Sequence, residues 1–196
     1  MIPIIYNTIS SSDLVLSENE TARRLQAEKG FTSDIIRQCE RELKNAVNCK
    51  FSATLTEISY FENGFLDCGF GRFQSYNLSK NLDNCKTAYV FAVTLGLEVD
   101  RLLNKYALIS PAKHFILDAL ASSIAESATD KAEEIIKGKT ACRKRFSPGY
   151  GDLPLEIQPD ILRLLNAEKL LGITINSALL MSPGKSVTAV MGIKNE

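Results

Sequence analysis

A chain of 196 residues, 45% hydrophobic and 23% charged, has the proportions of a folded domain with a sizeable core rather than of a disordered segment. Its 23 Lys and Arg balance 23 Asp and Glu, so the basic excess with which nucleic-acid binders displace phosphate counterions is absent. One histidine and five cysteines that never form C-x-x-C exclude a multi-histidine metal centre and argue against a disulfide framework or a zinc knuckle.

The apolar start, Met1 to Tyr6, has no basic flank and breaks at once into polar Asn7 and Thr8, too short for a signal or a membrane span. It reads instead as a short strand over Ile2 to Tyr6. A helix is expected near Glu18 to Lys29, ended by Gly30. Thr32 or Ser33 is placed to cap the next, where Ile35, Ile36, Leu43, Ala46 and Val47 recur at helical spacing. Phe51 to Phe61 then turns β-branched and aromatic. With the Asn63-Gly64 turn signal and Phe65 to Phe70, it predicts a hairpin.

Tyr89 to Leu95 is a continuous apolar run, the pattern of a central strand buried on both faces. Gly96 stops it, and Leu97, Val99, Leu102, Leu103 and Tyr106 predict a helix. Ser110-Pro111 is a cap and first-turn pair for a long helix to about Lys137, with Phe115, Ile116, Ala119, Leu120, Ile124 and Ala128 as its apolar stripe. Pro159 opens a last helix with Ile161, Leu162, Leu164, Leu165 and Leu170 inward, and Ser186 to Ile193 closes the chain as a strand. The expected class is α+β, a twisted antiparallel sheet with helices packed around it. No linker divides the chain. Residues 1–50 read as a helical arm of the same domain and 51–196 as its body.

The stretch richest in chemistry is Arg145-Phe146-Ser147-Pro148-Gly149-Tyr150-Gly151-Asp152-Leu153-Pro154. Two prolines fix φ while two glycines permit positive φ, which describes an ordered, shaped loop. Arg145 at its entrance can grip a carboxylate or phosphate as a bidentate fork. Gly149 and Gly151 let backbone groups approach a flat heterocycle, and Tyr150 can cover it. The alternative is a rigid connection with Tyr150 packed in the core. Both stand at this point.

The Arg145-x-Ser147-Pro148-Gly149-Tyr150 motif, Gly172-Ile173-Thr174-Ile175 and Met181-x-Pro183-x-x-Ser186-Val187 together resemble the activation domain of cobalamin-dependent methionine synthase. The Gly-Asp-Leu-Pro-Leu-Glu continuation, with Lys185 to Val190, is similar to the free-standing form of that domain. The resemblance covers roughly residue 85 to the end. It implies S-adenosylmethionine binding and a reactivation role in methionine biosynthesis, the reductive methylation of cob(II)alamin on a cobalamin-binding synthase subunit. It also implies a flavodoxin or similar reductant as a further partner; independently of it, the odd number of cysteines fits a reducing, cytoplasmic compartment, and the balanced charge and short apolar start predict no nucleic-acid or membrane partner. Cobalamin is expected only through the partner protein, and no catalytic residue or metal site is expected on this chain, which carries no complete catalytic centre alone.

By the same resemblance Arg145 contacts the methionine carboxylate of S-adenosylmethionine, and Ser147, Pro148, Gly149 and Tyr150 meet its adenine end. Glu126, on the long helix, faces its ammonium or sulfonium. A sulfonium offers no N–H donor and is held mainly by charge. Met191 or Val190 stands where longer members carry an aromatic lining residue, and their N-terminal acidic contact has no counterpart placed by sequence. Two other functions compete: a non-catalytic interaction module for a corrinoid protein that no longer binds S-adenosylmethionine, and an independent methyltransferase, disfavoured by the lack of a general base. The run Lys137, Lys139, Arg143, Lys144 reads as an exposed basic helix end or a docking patch for an acidic partner. His114 reads as a surface or packing residue, the phenylalanines 61, 65, 70 and 73 as core residues, and the five thiols as buried and inert.

Overall fold

The computed structural model describes residues 3–25 and 34–195. The first part of the chain holds β1 (Ile4–Ile9), α1 (Glu18–Leu25), α2 (Asp34–Ala46) and β2 (Cys49–Glu57). Three short strands follow, β3 (Ser59–Tyr60), β4 (Phe65–Asp67) and β5 (Arg72–Gln74), then α3 (Tyr76–Leu82) and β6 (Thr87–Thr94). Two long helices, α4 (Leu97–Ile109) and α5 (Pro111–Lys137), precede the shorter α6 (Gln158–Leu164) and α7 (Ala167–Leu171). The last elements are β7 (Thr174–Ile175), β8 (Met181–Ser182) and β9 (Ser186–Gly192). The class is α+β, as the sequence predicts.

An antiparallel sheet in the order β1-β2-β6-β9 divides the molecule. Side chains alternate across it, so register decides which core each one joins. Phe51, Ala53, Phe91, Val93, Ala189 and Met191 face α2, α4 and α5, while Ala88, Val90, Ala92 and Val190 face α3, α6, α7 and the small β3-β4-β5 sheet. β6 feeds both cores, which explains its unbroken apolar run. Small residues on the two facing surfaces, Ala53 and Ala189 on the sheet and Ala121 and Ala128 on α5, leave room for the larger Phe91 and Leu120 between them.

β6 turns into α4 at Gly96, whose φ is 88°. A Cβ there would lie 3.0 Å from the Asn48 carbonyl oxygen, so both backbone angle and space require glycine. Pro111 occupies the first turn of α5 as expected, although the Ser110 hydroxyl makes no capping bond.

Several expectations need correction. The predicted hairpin is two separate pairings: Asn63 (φ 58°) and Gly64 (φ 74°) do form the turn, but it joins β3 to β4, while β2 pairs with β1 and β6. The last helix is split into α6 and α7 at Asn166, which adopts the left-handed conformation (φ 50°). Phe115 is 54% exposed and stands off the buried stripe of α5.

The first strand runs from Ile4 to Ile9, and α1 occupies Glu18–Leu25; Gly30, Thr32 and Ser33 lie outside the described residues. The N-terminal segment adds a strand to the central sheet through β1, and it buries Ile9 and Leu14 in the helix-covered core. No helix among the described residues is long and apolar enough to cross a membrane.

Candidate ligand site

Beyond α5 the chain returns alongside β9. Phe146 exchanges both backbone bonds with Val190, at 2.8 and 2.9 Å, and the Arg143 N–H donates to the Gly192 carbonyl at 2.8 Å. This extended pairing fixes the direction of neighbouring side chains: Phe146 packs against the core shared with α6 and α7, and Arg145 projects to α5. There it meets Glu126, Asp130 and Glu133, which at spacings of four and three residues share one face of the helix.

The Arg145 guanidinium bonds three carboxylates on that face. Its Nη1 donates to Asp130 at 2.5 Å and to Glu133 at 3.0 Å, and its Nη2 donates to Glu126 at 2.9 Å. The Arg145 side chain is 26% exposed and that of Glu133 only 17%. Burial alone would lower the Arg145 pKa, but the hydrogen bonds to Asp130 and Glu133 outweigh it and the net direction is upward. With Lys137 3.7 Å from Glu133, two cations face three carboxylates, and the patch keeps an excess of negative charge.

Glu126 and Asp130 also line a groove of about 350 Å³ between α5 and the N-terminal segment. The opposite wall is Asp13, Val15 and Ser17. The segment is strapped to the helix by backbone donors: Val15 N–H to Ser127 Oγ at 2.9 Å and Ser17 N–H to Ser123 Oγ at 3.2 Å. Asp13 lies across this groove from Glu126. No local signal marks Asp13. Asp130 and Glu133 were legible from the helical period once Glu126 had been chosen.

The loop after Arg145 is ordered by its own backbone. Gly149 N–H donates to the Leu153 carbonyl at 2.9 Å, Leu153 N–H to that of Tyr150 at 3.0 Å, and Tyr150 N–H to that of Ser147 at 3.2 Å. Gly149 (φ 86°) and Gly151 (φ 55°) take the positive angles the turn needs. Ser147 and Pro148 are half-buried, and Tyr150 is 65% exposed, which removes the alternative of a tyrosine packed in the core.

Met191 is a correction. The register pairs it with Tyr89 and points it into the core beneath α5, where it is wholly buried, while Val190 is wholly buried in the opposite core. Neither side chain reaches the groove. Among the other singled-out residues, Lys137 pairs with Glu133 at 3.7 Å, Arg143 pairs with Asp83, and Lys139 and Lys144 are exposed. His114 Nδ1 lies 3.0 Å from the Leu103 carbonyl oxygen, a packing role. Phe70 stacks on Phe73 with ring centroids 5.2 Å apart, whereas Phe61, under the Arg72 guanidinium, is exposed. Burial pushes the Cys49 and Cys68 thiols up to about 12, far from a neutral-pH thiolate.

Two carboxylates are held below their usual range. The Ser75 hydroxyl and the Asn77 and Tyr76 amides favour ionised Asp152, and the Tyr106 hydroxyl with nearby Lys113 favours ionised Glu42. A depressed folded-state pKa gives stability that is present above the unfolded value, about 4 for either group, and lost as pH falls through the folded one. Asp152→Asn and Glu42→Gln are therefore expected to lower the melting temperature at neutral pH and to converge on the parent in acid, once the pH has fallen through the depressed folded-state values. Thermal melts across that range check it.

No family model matches the sequence, and no curated protein does. Among solved structures the chain is similar to the MetH reactivation domain bound to AdoHcy, at 17% identity and a TM-score of 0.68. The likeness covers 97% of this chain and 78% of that one. The protein thus has the fold of that reactivation domain.

Proposed function

We propose that this protein binds S-adenosylmethionine along the groove between α5 and the N-terminal segment, beside the Arg145–Tyr150 loop. In this reading it is a separate reactivation subunit, presenting the ligand to a cobalamin-dependent methionine synthase. The observation that carries the proposal is the meeting of Arg145 and Glu126. Two residues singled out separately in the sequence form one ion pair, and the carboxylate partner lines a groove, in a fold whose solved relative is bound to AdoHcy.

The charge balance suits the ligand. S-adenosylmethionine carries a sulfonium and an ammonium against one carboxylate, and the groove sets Asp13, Glu126, Asp130 and Glu134 against one lysine, Lys131, itself paired with Glu134. Three of the five guanidinium donors of Arg145 go to α5 carboxylates, and the remaining donors are those with which it takes the ligand carboxylate. Tyr150 and the backbone around Gly149 receive the adenine. The corrinoid on the partner supplies the methyl-accepting chemistry, and this chain binds and orients the donor.

Titration calorimetry with S-adenosylmethionine tests this: saturable heat is expected, weakened about tenfold or more by Glu126→Gln. Absence of heat at millimolar ligand rejects it. The burial of Met191 and the commitment of three Arg145 donors to α5 carboxylates favour one other reading, an interaction module that has lost the ligand. That module captures a corrinoid protein equally well with and without Arg145.

A further inference from the structure

The Ser147–Tyr150 turn hangs between two anchors. On one side is the backbone pairing of Phe146 with Val190 on β9. On the other is a side chain, Asp152, whose Oδ1 accepts from the Ser75 hydroxyl at 2.5 Å and the Asn77 amide at 3.1 Å, and whose Oδ2 accepts from the Tyr76 amide at 2.8 Å. Ser75 in turn accepts the Leu78 amide at 3.0 Å. The first three amides of α3 are thus shared between its own cap and a carboxylate from a loop 75 residues further along.

Helix α3 is a firm support, because Leu78 and Leu82 are wholly buried. The approach is close enough that a Cβ on Gly151 would lie 2.3 Å from Asn77 Nδ2. Asp152 itself is exposed, so its bonds do not serve to satisfy a buried charge. What they do is fix where the backbone of residues 149–151 sits, and with it the exposed Tyr150.

We propose that Asp152 is a positioning residue for the ligand loop: by stapling the loop to the start of α3 it holds Tyr150 and the Gly149 backbone in binding geometry. The affinity part of this proposal rests on the S-adenosylmethionine reading above, and the loop-geometry part stands without it. A loop held in place before binding loses less freedom when the ligand arrives.

The chain has no tryptophan, so Tyr150→Trp installs a single fluorophore at the turn. In that background Asp152→Ala is expected to lower the tryptophan emission anisotropy, and Asp152→Asn, which keeps one acceptor oxygen, to give an intermediate value. With Tyr150 intact, Asp152→Ala is expected to weaken S-adenosylmethionine binding about tenfold, with Asp152→Asn recovering most of it. Anisotropy in Asp152→Ala equal to that of its parent overturns the proposal, as does an affinity loss without any change in anisotropy. If Asp152→Ala fails to fold, the Asp152→Asn comparison decides. Should the parent protein bind no S-adenosylmethionine, the functional reading falls, and the anisotropy comparison still settles whether Asp152 orders the loop.

Discussion

Arg145→Ala is expected to abolish S-adenosylmethionine binding and to destabilise the fold at the same time. Under the proposed function the binding loss follows from removing the fork assigned to the ligand carboxylate, and it should exceed roughly a hundredfold in Kd. The stability loss has a separate origin: the substitution leaves Glu126, Asp130 and Glu133 on one helix face with no guanidinium among them. Charge-assisted hydrogen bonds contribute about 1.5–3 kcal/mol when buried, far less when solvated. Asp130 is mostly exposed and Glu126 nearly half so, which leaves the Glu133 bond as the main contribution, and a total near 2 kcal/mol is expected. Urea midpoints at low and high salt separate the parts, because screening relieves the carboxylate repulsion and the deficit should shrink as salt rises. Arg145→Lys keeps the charge but cannot span three carboxylates, so it should recover part of the stability and little of the binding.

Phe91→Ala is expected to be the most damaging core substitution. The ring is wholly buried at the centre of β6, facing α5, with Ala53 and Ala189 as its lateral neighbours in the register. Those alanines have no side chain with which to fill the space, and the strand backbones are held by ladders on both sides. The cavity therefore stays open, and a loss of about 4 kcal/mol is expected, a large share of a typical domain's stability. A chemical denaturation midpoint shifted down at unchanged slope checks this. Because the same ring supports α5, the variant should also weaken ligand binding, in proportion to its loss of folded protein.

The parts of the fold that could be read from the sequence are those whose signal is local. The apolar run of β6, the Gly96 stop and the Ser110-Pro111 opening of α5 each depend on neighbours within a few residues, and each falls where expected. The pairing of β2 was misread because Asn63-Gly64 is a true turn signal for whichever strands flank it, and nothing nearby shows that β2 pairs instead with β1 and β6. Along β2, Ser52, Thr54 and Thr56 alternate with apolar residues, and all three are buried. Asn166 carried a readable hint of the break between α6 and α7, since asparagine tolerates the left-handed conformation.

The site divides in the same way. Arg145 and Glu126 came from a motif and a helix position, and Asp130 and Glu133 follow from the helical period. Asp13 and Asp152 join through contacts spanning much of the chain, for which a single sequence carries no pattern.

The bond pair between Phe146 and Val190 also has a consequence for biogenesis. On the ribosome, the loop bearing Arg145 emerges more than 35 residues before the strand that tethers it. Strands 1, 2 and 6 can associate as they appear, but the loop proposed to hold the ligand gains its β9 tether only when that strand inserts. A nascent chain halted ahead of β9 should therefore acquire much of its helical layer while remaining blind to the metabolite.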